Sequence, residues 1–141
     1  MVDSGQFLAI VPKHGADIVA LTMGKYKGNT VLSVRVWKGD GGGSLNTTHG
    51  IGLAPWLWGK AIPCIERALN SGSDDPPEDI DKPTGQILRV QRQEFKGIPL
   101  LAVRVYLKNA TRPSRNGLTV RPEIWLALLP HIRHVLEDSG K

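Results

Sequence analysis

Aromatic, lysine and arginine residues recur at matched positions in the two halves of this chain. Tyr26-Lys27-Gly28 returns as Phe95-Lys96-Gly97, and Val34-Arg35-Val36-Trp37 returns as Val103-Arg104-Val105-Tyr106. Flat rings beside cations are the combination with which proteins bind single-stranded nucleic acid, because bases stack on the rings and the cations neutralise phosphates. The pattern therefore predicts binding by stacking and charge neutralisation, without bond-making chemistry.

The repeat extends through most of the chain. Residues 18–37 align with residues 87–106 without a gap, at an offset of 69, and residues 50–69 align with residues 117–136 at an offset of 67. The second alignment keeps glycine, proline and tryptophan in the same order, as Gly50/Gly117, Pro55/Pro122, Trp58/Trp125 and Pro63/Pro130. We interpret the chain as a tandem duplication in which one copy does not bury its apolar face alone.

Each copy is predicted to form four strands followed by one helix. Runs of β-branched residues with period-two alternation mark the strands, and a proline at the first helical position opens each helix. The predicted strands cover residues 7–11, 18–25, 31–38, 47–53, 87–94, 99–108 and 115–121, with a weakly signalled strand near Ile80. We expect an α+β fold of two tandem ββββα units, in which two four-stranded antiparallel sheets and their packed helices form a pseudo-twofold intramolecular dimer.

The predicted domain organisation is a first repeat over residues 1–70, an acidic linker over residues 71–81 and a second repeat over residues 82–141. At 141 residues the two units must share a core, so we expect one compact domain overall. The linker carries five acids and no base, while the whole chain has a formal net charge of +5. The folded parts are therefore basic, which favours a polyanionic partner, nucleic acid before membrane.

Alternation along the predicted strands separates a core face from an outward face. In both copies leucine and valine occupy one side of the third strand, and an arginine and a ring occupy the other. The outward residues are Arg35, Trp37, Arg104 and Tyr106, with Arg89 and Phe95 on the neighbouring strand. Such a face suits single-stranded nucleic acid. An open alternative is that the rings are ordinary cross-strand packing pairs at sheet edges.

The run from Glu94 to Ile132 resembles the single-stranded-DNA-binding domain of the transcriptional coactivator positive cofactor 4 family. The resemblance rests on Phe-Lys-Gly at 95–97, Val-Arg-x-Tyr at 103–106, Gly-Leu-Thr-Val at 117–120 and Pro-x-x-Trp at 122–125. The first half is similar more weakly. Members of that family are usually homodimers of one ββββα unit, so the chain resembles such a dimer fused into one polypeptide.

The resemblance implies that each sheet holds a single strand of DNA in a groove. It places the family's DNA-contacting ring, its adjacent lysine and its strand arginine on positions of both halves, and its basic fourth-strand pair on Arg115-Asn116 and Thr48-His49. Together with the outward face, this gives the predicted nucleic-acid-binding residues Tyr26, Lys27, Arg35, Trp37, Lys38, His49, Arg89, Phe95, Lys96, Arg104, Tyr106 and Arg115.

This chain departs from the family at several positions. They are the second stacking ring (Leu107 and Lys38 here), the lysine after the turn (Ile98 and Asn29), the basic fourth-strand position of the first half (Thr48) and the polar helix cap (Ala54 and Arg121). These departures predict weaker or asymmetric binding, with the second half carrying more of it.

We expect a sequence-independent single-stranded-DNA-binding protein that acts as a transcription coactivator or as an accessory factor in replication or repair. An RNA-binding protein of the same architecture stays open. So does a protein-interaction module of the transcription machinery, in which Trp56 forms a sticky patch for a polymerase or for self-association.

No enzyme, cofactor or metal is expected, since no catalytic motif is present and the pair His131 and His134 lacks a third ligand. One cysteine, Cys64, and the lack of a visible signal or membrane span favour an intracellular protein. It would be nuclear in a eukaryote, or in the cytoplasm or nucleoid of a bacterium or phage. We expect a monomer that acts as a pseudo-dimer.

Overall fold

The structure is a computed structural model that describes residues 7–15, 17–39, 45–70, 76–82, 85–107 and 113–139. Eight strands and two helices follow one another in the order ββββαββββα. They are β1 (Ala9–His14), β2 (Asp17–Tyr26), β3 (Asn29–Gly39), β4 (Leu45–Leu53), α1 (Pro55–Leu69), β5 (Glu78–Asp81), β6 (Gln86–Phe95), β7 (Ile98–Leu107), β8 (Pro113–Val120) and α2 (Pro122–Ser139).

The prediction of two four-stranded antiparallel sheets in tandem ββββα units is wrong. The strands form one eight-stranded mixed sheet in the order β1-β2-β3-β4-β8-β7-β6-β5. Neighbours within each half are antiparallel, whereas β4 and β8 pair in parallel, with Gly50 opposite Asn116. The expected pseudo-twofold dimer of separate sheets is thereby replaced by a single sheet that runs through both halves.

The junction between β4 and β8 explains why the sheet is continuous. A separate sheet would leave the backbone groups of its edge strand unpaired. Here the Asn116 side chain accepts a hydrogen bond from the Gly52 N–H at 2.8 Å through Oδ1 and donates one to the Gly52 carbonyl at 3.1 Å through Nδ2. The amide thus substitutes for a second backbone pair at the junction. The sequence resemblance placed Asn116 in the pair of fourth-strand residues that contacts nucleic acid. In the structure its side-chain amide is hydrogen-bonded to the backbone of Gly52.

The linker prediction also changes. Residues 78–81, which were included in the acidic linker, form the edge strand β5 and pair with β6. Residues 71–75 of the predicted linker lie outside the described residues.

Two-residue turns join β2 to β3 and β6 to β7. Lys27 and Lys96 have φ of 51° and 52°, and the glycines that follow, Gly28 and Gly97, have φ of 81° and 79°. Two successive residues with positive φ define the hairpin turn that matches the twist of the strands, and asparagine or aspartate is the usual first residue. A lysine there costs roughly 1 kcal/mol of backbone strain. Both halves tolerate that cost at the same position.

Both halves contribute to one hydrophobic core, and each helix contacts strands of the opposite half. Helix α1 packs against β5, β6 and β7, whereas α2 packs against β1, and the two helices contact each other. Each helix is also tied to its own half by a buried tryptophan. The indole N–H of Trp58 donates to the Leu32 carbonyl at 2.8 Å, and that of Trp125 donates to the Leu101 carbonyl at 2.9 Å.

The positions of the two helices determine which strand side chains face outward. Because α1 and α2 cover the inner side of the sheet, the side chains at alternate positions of β2, β3, β6 and β7 lie on the outer side. The first strand of each half contacts the helix of the opposite half, β5 with α1 and β1 with α2. Residues distant in sequence therefore line common grooves.

Candidate nucleic-acid interface

The two hairpin tips present the rings that the sequence predicts. The ring of Tyr26 is 67% exposed and that of Phe95 is 61% exposed. In each tip the adjacent lysine lies over its neighbour's ring, with 5.4 Å from Nζ to the ring centroid for both Lys27 and Lys96. Each tip therefore offers an exposed flat surface beside a cation.

The strand arginines lie flat against the outer side of the sheet. Arg35 is opposite Gly50 and Arg104 is opposite Gly117. A Cβ on Gly50 would stand 2.6 Å from the Arg35 Cα, and one on Gly117 would stand 2.7 Å from the Arg104 Cζ. At both positions a Cβ would occupy space that the arginine fills now, with its backbone at Gly50 and with its side chain at Gly117.

Hydrogen bonds hold both guanidinium groups in place. Arg35 donates from Nε to the Thr47 hydroxyl at 3.0 Å, and Arg104 donates from Nη1 to the Ser114 carbonyl at 3.2 Å. These acceptors are neutral, so the positive charges are retained for an anion. This arrangement is suited to phosphate groups that run along the middle of the sheet.

Arg89 and Tyr106 form a stack on the second half of the sheet. The guanidinium carbon of Arg89 lies 4.8 Å from the centroid of the Tyr106 ring. Asp79, on the edge strand β5, accepts hydrogen bonds from Arg89 Nε at 2.8 Å and from Nη2 at 3.0 Å. The predicted cation and ring are thus together, but the charge of Arg89 is matched by Asp79. The carboxylate accepts the hydrogen bonds that the guanidinium group could otherwise donate to an external anion.

We expect Asp79→Asn to strengthen single-strand binding by about two- to fivefold, because it releases Arg89 and removes a charge that repels phosphate. Glu78→Gln is the matched control. Glu78 neighbours Asp79 but pairs with Arg67 of α1, at 2.7 Å, on the other side of the sheet. Titration of a labelled single strand measures both variants. Equal affinities for Asp79→Asn, Glu78→Gln and the unchanged protein would show that Arg89 takes no part.

Trp37 is buried, in contrast to the open ring that the alternation predicts. Its exposed fraction is 5%, and Phe7 packs against it with ring centroids 5.2 Å apart. The indole N–H has no hydrogen-bond partner within the described part of the chain. Alternation along β3 did not reveal this burial, because the covering ring of Phe7 comes from the segment before the first strand. Lys38 and Arg115 are exposed, and the side chain of Thr48 lies outside what the structure describes.

His49 lies between the two halves, on β4 next to the junction with β8. Burial lowers the pKa of its imidazole below the ordinary value of 6.5, and the positive charges of Arg104, Lys13, Arg35 and Lys38 lower the pKa further. The imidazole is therefore neutral over a wider pH range in the folded protein than in the unfolded chain.

The lowered pKa gives a pH dependence of stability. Between the ordinary value of 6.5 and the lower folded-state value, the unfolded chain binds more protons than the folded protein. The His49 contribution is fully present above 6.5 and is lost as the pH falls towards the folded-state pKa. Urea unfolding over this range should show a smaller loss for His49→Gln than for the unchanged protein. An identical loss in both would exclude His49 as the group responsible.

A groove leads from the outer side of β2 and β3 past the first hairpin to the start of α1. Two adjoining cavities of about 490 and 670 Å³ form it, and Tyr26 and Asn116 line both. Arg35 lines the first cavity, whereas Trp56 and Lys82 line the second. We call these two cavities together the first-hairpin groove.

A corresponding cavity lies at the other hairpin. It has a volume of about 480 Å³, and we call it the second-hairpin groove. Its lining includes Lys13, Phe95, Ile98, Arg121 and Glu123. Volumes of this size fall in the range of small-molecule pockets.

Three residues that line these grooves are not among the nucleic-acid-binding residues predicted from the sequence: Lys13, Trp56 and Lys82. Lys13 and Lys82 are separated by 69 positions, which is the offset that also relates Tyr26 to Phe95. That offset is the signal that could have identified the lysines. Trp56 was assigned to a separate sticky patch, but it shares a cavity with Tyr26.

Comparison of the sequence with protein-family models gives no match, and comparison with curated proteins gives none. The described residues contain no group of three or more histidine, cysteine, aspartate or glutamate side chains placed to hold a metal ion. Neither α1 nor α2, as described, is long and apolar enough to cross a bilayer.

Proposed function

We propose that this protein binds single-stranded DNA without sequence specificity, as an accessory factor in transcription, replication or repair. The observation that carries the proposal is the pair of hairpin tips, each with an exposed ring and a lysine held over it. The same unfavourable backbone conformation is kept at Lys27 and Lys96, and strain of this kind tends to be retained at binding sites. The resemblance to the positive cofactor 4 family supports the same class of partner.

The arrangement of rings and charges favours a single strand over a duplex. Tyr26 and Phe95 can stack only on bases whose faces are free, and duplex bases are stacked on each other. Arg35 and Arg104 lie on the sheet between the tips, where they can neutralise phosphates of either nucleic acid. Affinity for a duplex would then rest on charge alone.

Fluorescence anisotropy with a labelled single strand of about 25 nucleotides and its duplex, over a salt series, tests the proposal. We expect tighter binding to the single strand and a log–log salt slope of about −3 to −5, for about four to seven neutralised phosphates. Equally weak binding to both, abolished by salt, would contradict it. An RNA strand of the same sequence shows whether the 2′-hydroxyl is tolerated.

A second candidate function is protein interaction through the helices. Leu126 is 62% exposed, and it lines a groove of about 420 Å³ between α1 and α2 together with Leu69 and Leu129. A Leu126→Glu variant that loses an assembly seen by light scattering, with single-strand binding absent in the unchanged protein, would favour this function.

A further inference from the structure

We propose that each hairpin site is completed by a lysine from the opposite half of the chain. Lys82 joins Tyr26 in the first-hairpin groove, and Lys13 joins Phe95 in the second. The ligand is one nucleotide of the bound strand, with its base on the ring and its phosphate at the lysine. This inference rests on the proposed function and adds to it residues from outside each hairpin's own half.

The lining of the two grooves provides the first evidence. Lys82 follows β5, which pairs with β6 of the second half, yet it lines the same cavity as the first hairpin. Lys13 belongs to β1 of the first half, yet it lines the cavity of the second hairpin. The exchange is reciprocal, and both lysines occupy the same position of the sequence repeat. An accidental neighbour at one groove would not be expected to recur in the other.

The surroundings of Lys82 provide the second piece of evidence. Its side chain is partly buried, and within the described part of the chain no carboxylate forms an ion pair with it. Burial lowers the pKa of its ammonium group. A partly desolvated cation without a counter-ion gains more from a phosphate than a fully solvated one does.

Trp56 gives the first-hairpin groove a second ring. It is 51% exposed, with Lys60 Nζ 5.7 Å from its centroid, and it lines the same cavity as Tyr26 and Lys82. The corresponding residue of the second half is Glu123, which lies 4.0 Å from Arg121 and brings a negative charge into the second groove. The first groove is therefore the stronger site, which reverses the asymmetry predicted from the sequence.

A double-mutant cycle tests the exchange of lysines. Lys82→Ala and Lys13→Ala are each expected to lower single-strand affinity by about three- to tenfold and to reduce the salt slope by about 0.7. Tyr26→Ala combined with Lys82→Ala should lower affinity by less than the product of the single effects, because both act on one nucleotide. Tyr26→Ala combined with Lys13→Ala should lower affinity by the full product of the two single effects. For Phe95→Ala we expect the opposite: less than the product with Lys13→Ala, and the full product with Lys82→Ala.

The outcomes separate this inference from the proposed function. If the unchanged protein does not bind a single strand, the proposed function fails. If it binds, and Lys82→Ala is without effect or couples to Tyr26→Ala no more strongly than Lys13→Ala does, the exchange of lysines is overturned while the function stands. The lysine variants should fold, since the hydrogen bond from Lys82 to Gln86 uses the backbone N–H and not the side chain. Circular dichroism checks that they do.

Discussion

We expect Tyr26→Ala and Phe95→Ala each to lower single-strand affinity by roughly tenfold to a hundredfold, and the variant with both substitutions to lose nearly all binding. Stacking of one base on an aromatic ring contributes roughly 1–3 kcal/mol, and the two rings act on different nucleotides. Both rings are more than half exposed, so their loss removes little buried area. The temperature of unfolding should therefore stay nearly unchanged. Anisotropy titration and thermal unfolding measure the two effects.

Leu126→Ala is the matched control for the ring variant. Leu126 is an exposed apolar side chain of similar accessibility, at 62%, but it lies on α2 on the other side of the sheet. Its replacement should leave single-strand affinity unchanged. A double ring variant that binds as tightly as the unchanged protein would show that the hairpin rings are surface residues without a role in binding.

Gly50→Ala should destabilise the fold by about 3 kcal/mol or more, because the added Cβ meets atoms that cannot move aside. It would stand 2.6 Å from both the Arg35 Cα and the Val34 carbonyl oxygen, so β3 and β4 would have to separate. The same strand takes part in the junction with β8, and that pairing would be disturbed as well. Urea unfolding measures the loss.

Gly117→Ala is expected to behave differently, although it occupies the equivalent position of the repeat. The three atoms nearest to its Cβ would all belong to the Arg104 side chain, at 2.5 Å for Cγ, 2.7 Å for Cζ and 2.8 Å for Nε. Arg104 can rotate away at a cost of about 1 kcal/mol for its lost hydrogen bonds, while single-strand affinity falls. Similar losses of stability in the two variants would contradict the difference between the two contacts.

The order of the elements could be predicted from the sequence because its signals are local. Period-two alternation marks the strands, and the prolines Pro55 and Pro122 mark the first residues of the helices. The pairing of β4 with β8 could not be predicted in this way. It depends on two edges that meet in space and on a side-chain amide, Asn116, that completes the backbone pairing. No periodicity records such a contact.

The local geometry of the hairpin tips could be predicted, because one segment contains all of its parts. Each hairpin tip has its ring, lysine and glycine in three successive residues, and the structure brings them together. The alternation did not reveal contacts made by residues from elsewhere in the chain. Phe7 covers Trp37, and Asp79 pairs with Arg89. Both partners lie on edge strands or beside them, where alternation says little about what covers a neighbouring strand.

The grooves extend this lesson across the two halves. The helices pack on strands of the opposite half, and this packing brings Lys82 to the first hairpin and Lys13 to the second. The repeat offset relates the two lysines to each other, but only the three-dimensional structure shows which ring shares a cavity with each of them. In the sites that we propose, each half of the duplicated sequence therefore supplies a lysine to the hairpin of the other half.

Backbone amide NMR during titration with a single strand of about 25 nucleotides tests the central claim most directly. We expect the largest shifts at Lys27, Gly28, Lys96 and Gly97, together with the indole N–H of Trp56, and little change at Leu126. The matching duplex should shift these signals far less at equal salt. Shifts confined to the helices around Leu126, or equal shifts with both nucleic acids, would contradict a single-strand interface at the hairpin tips.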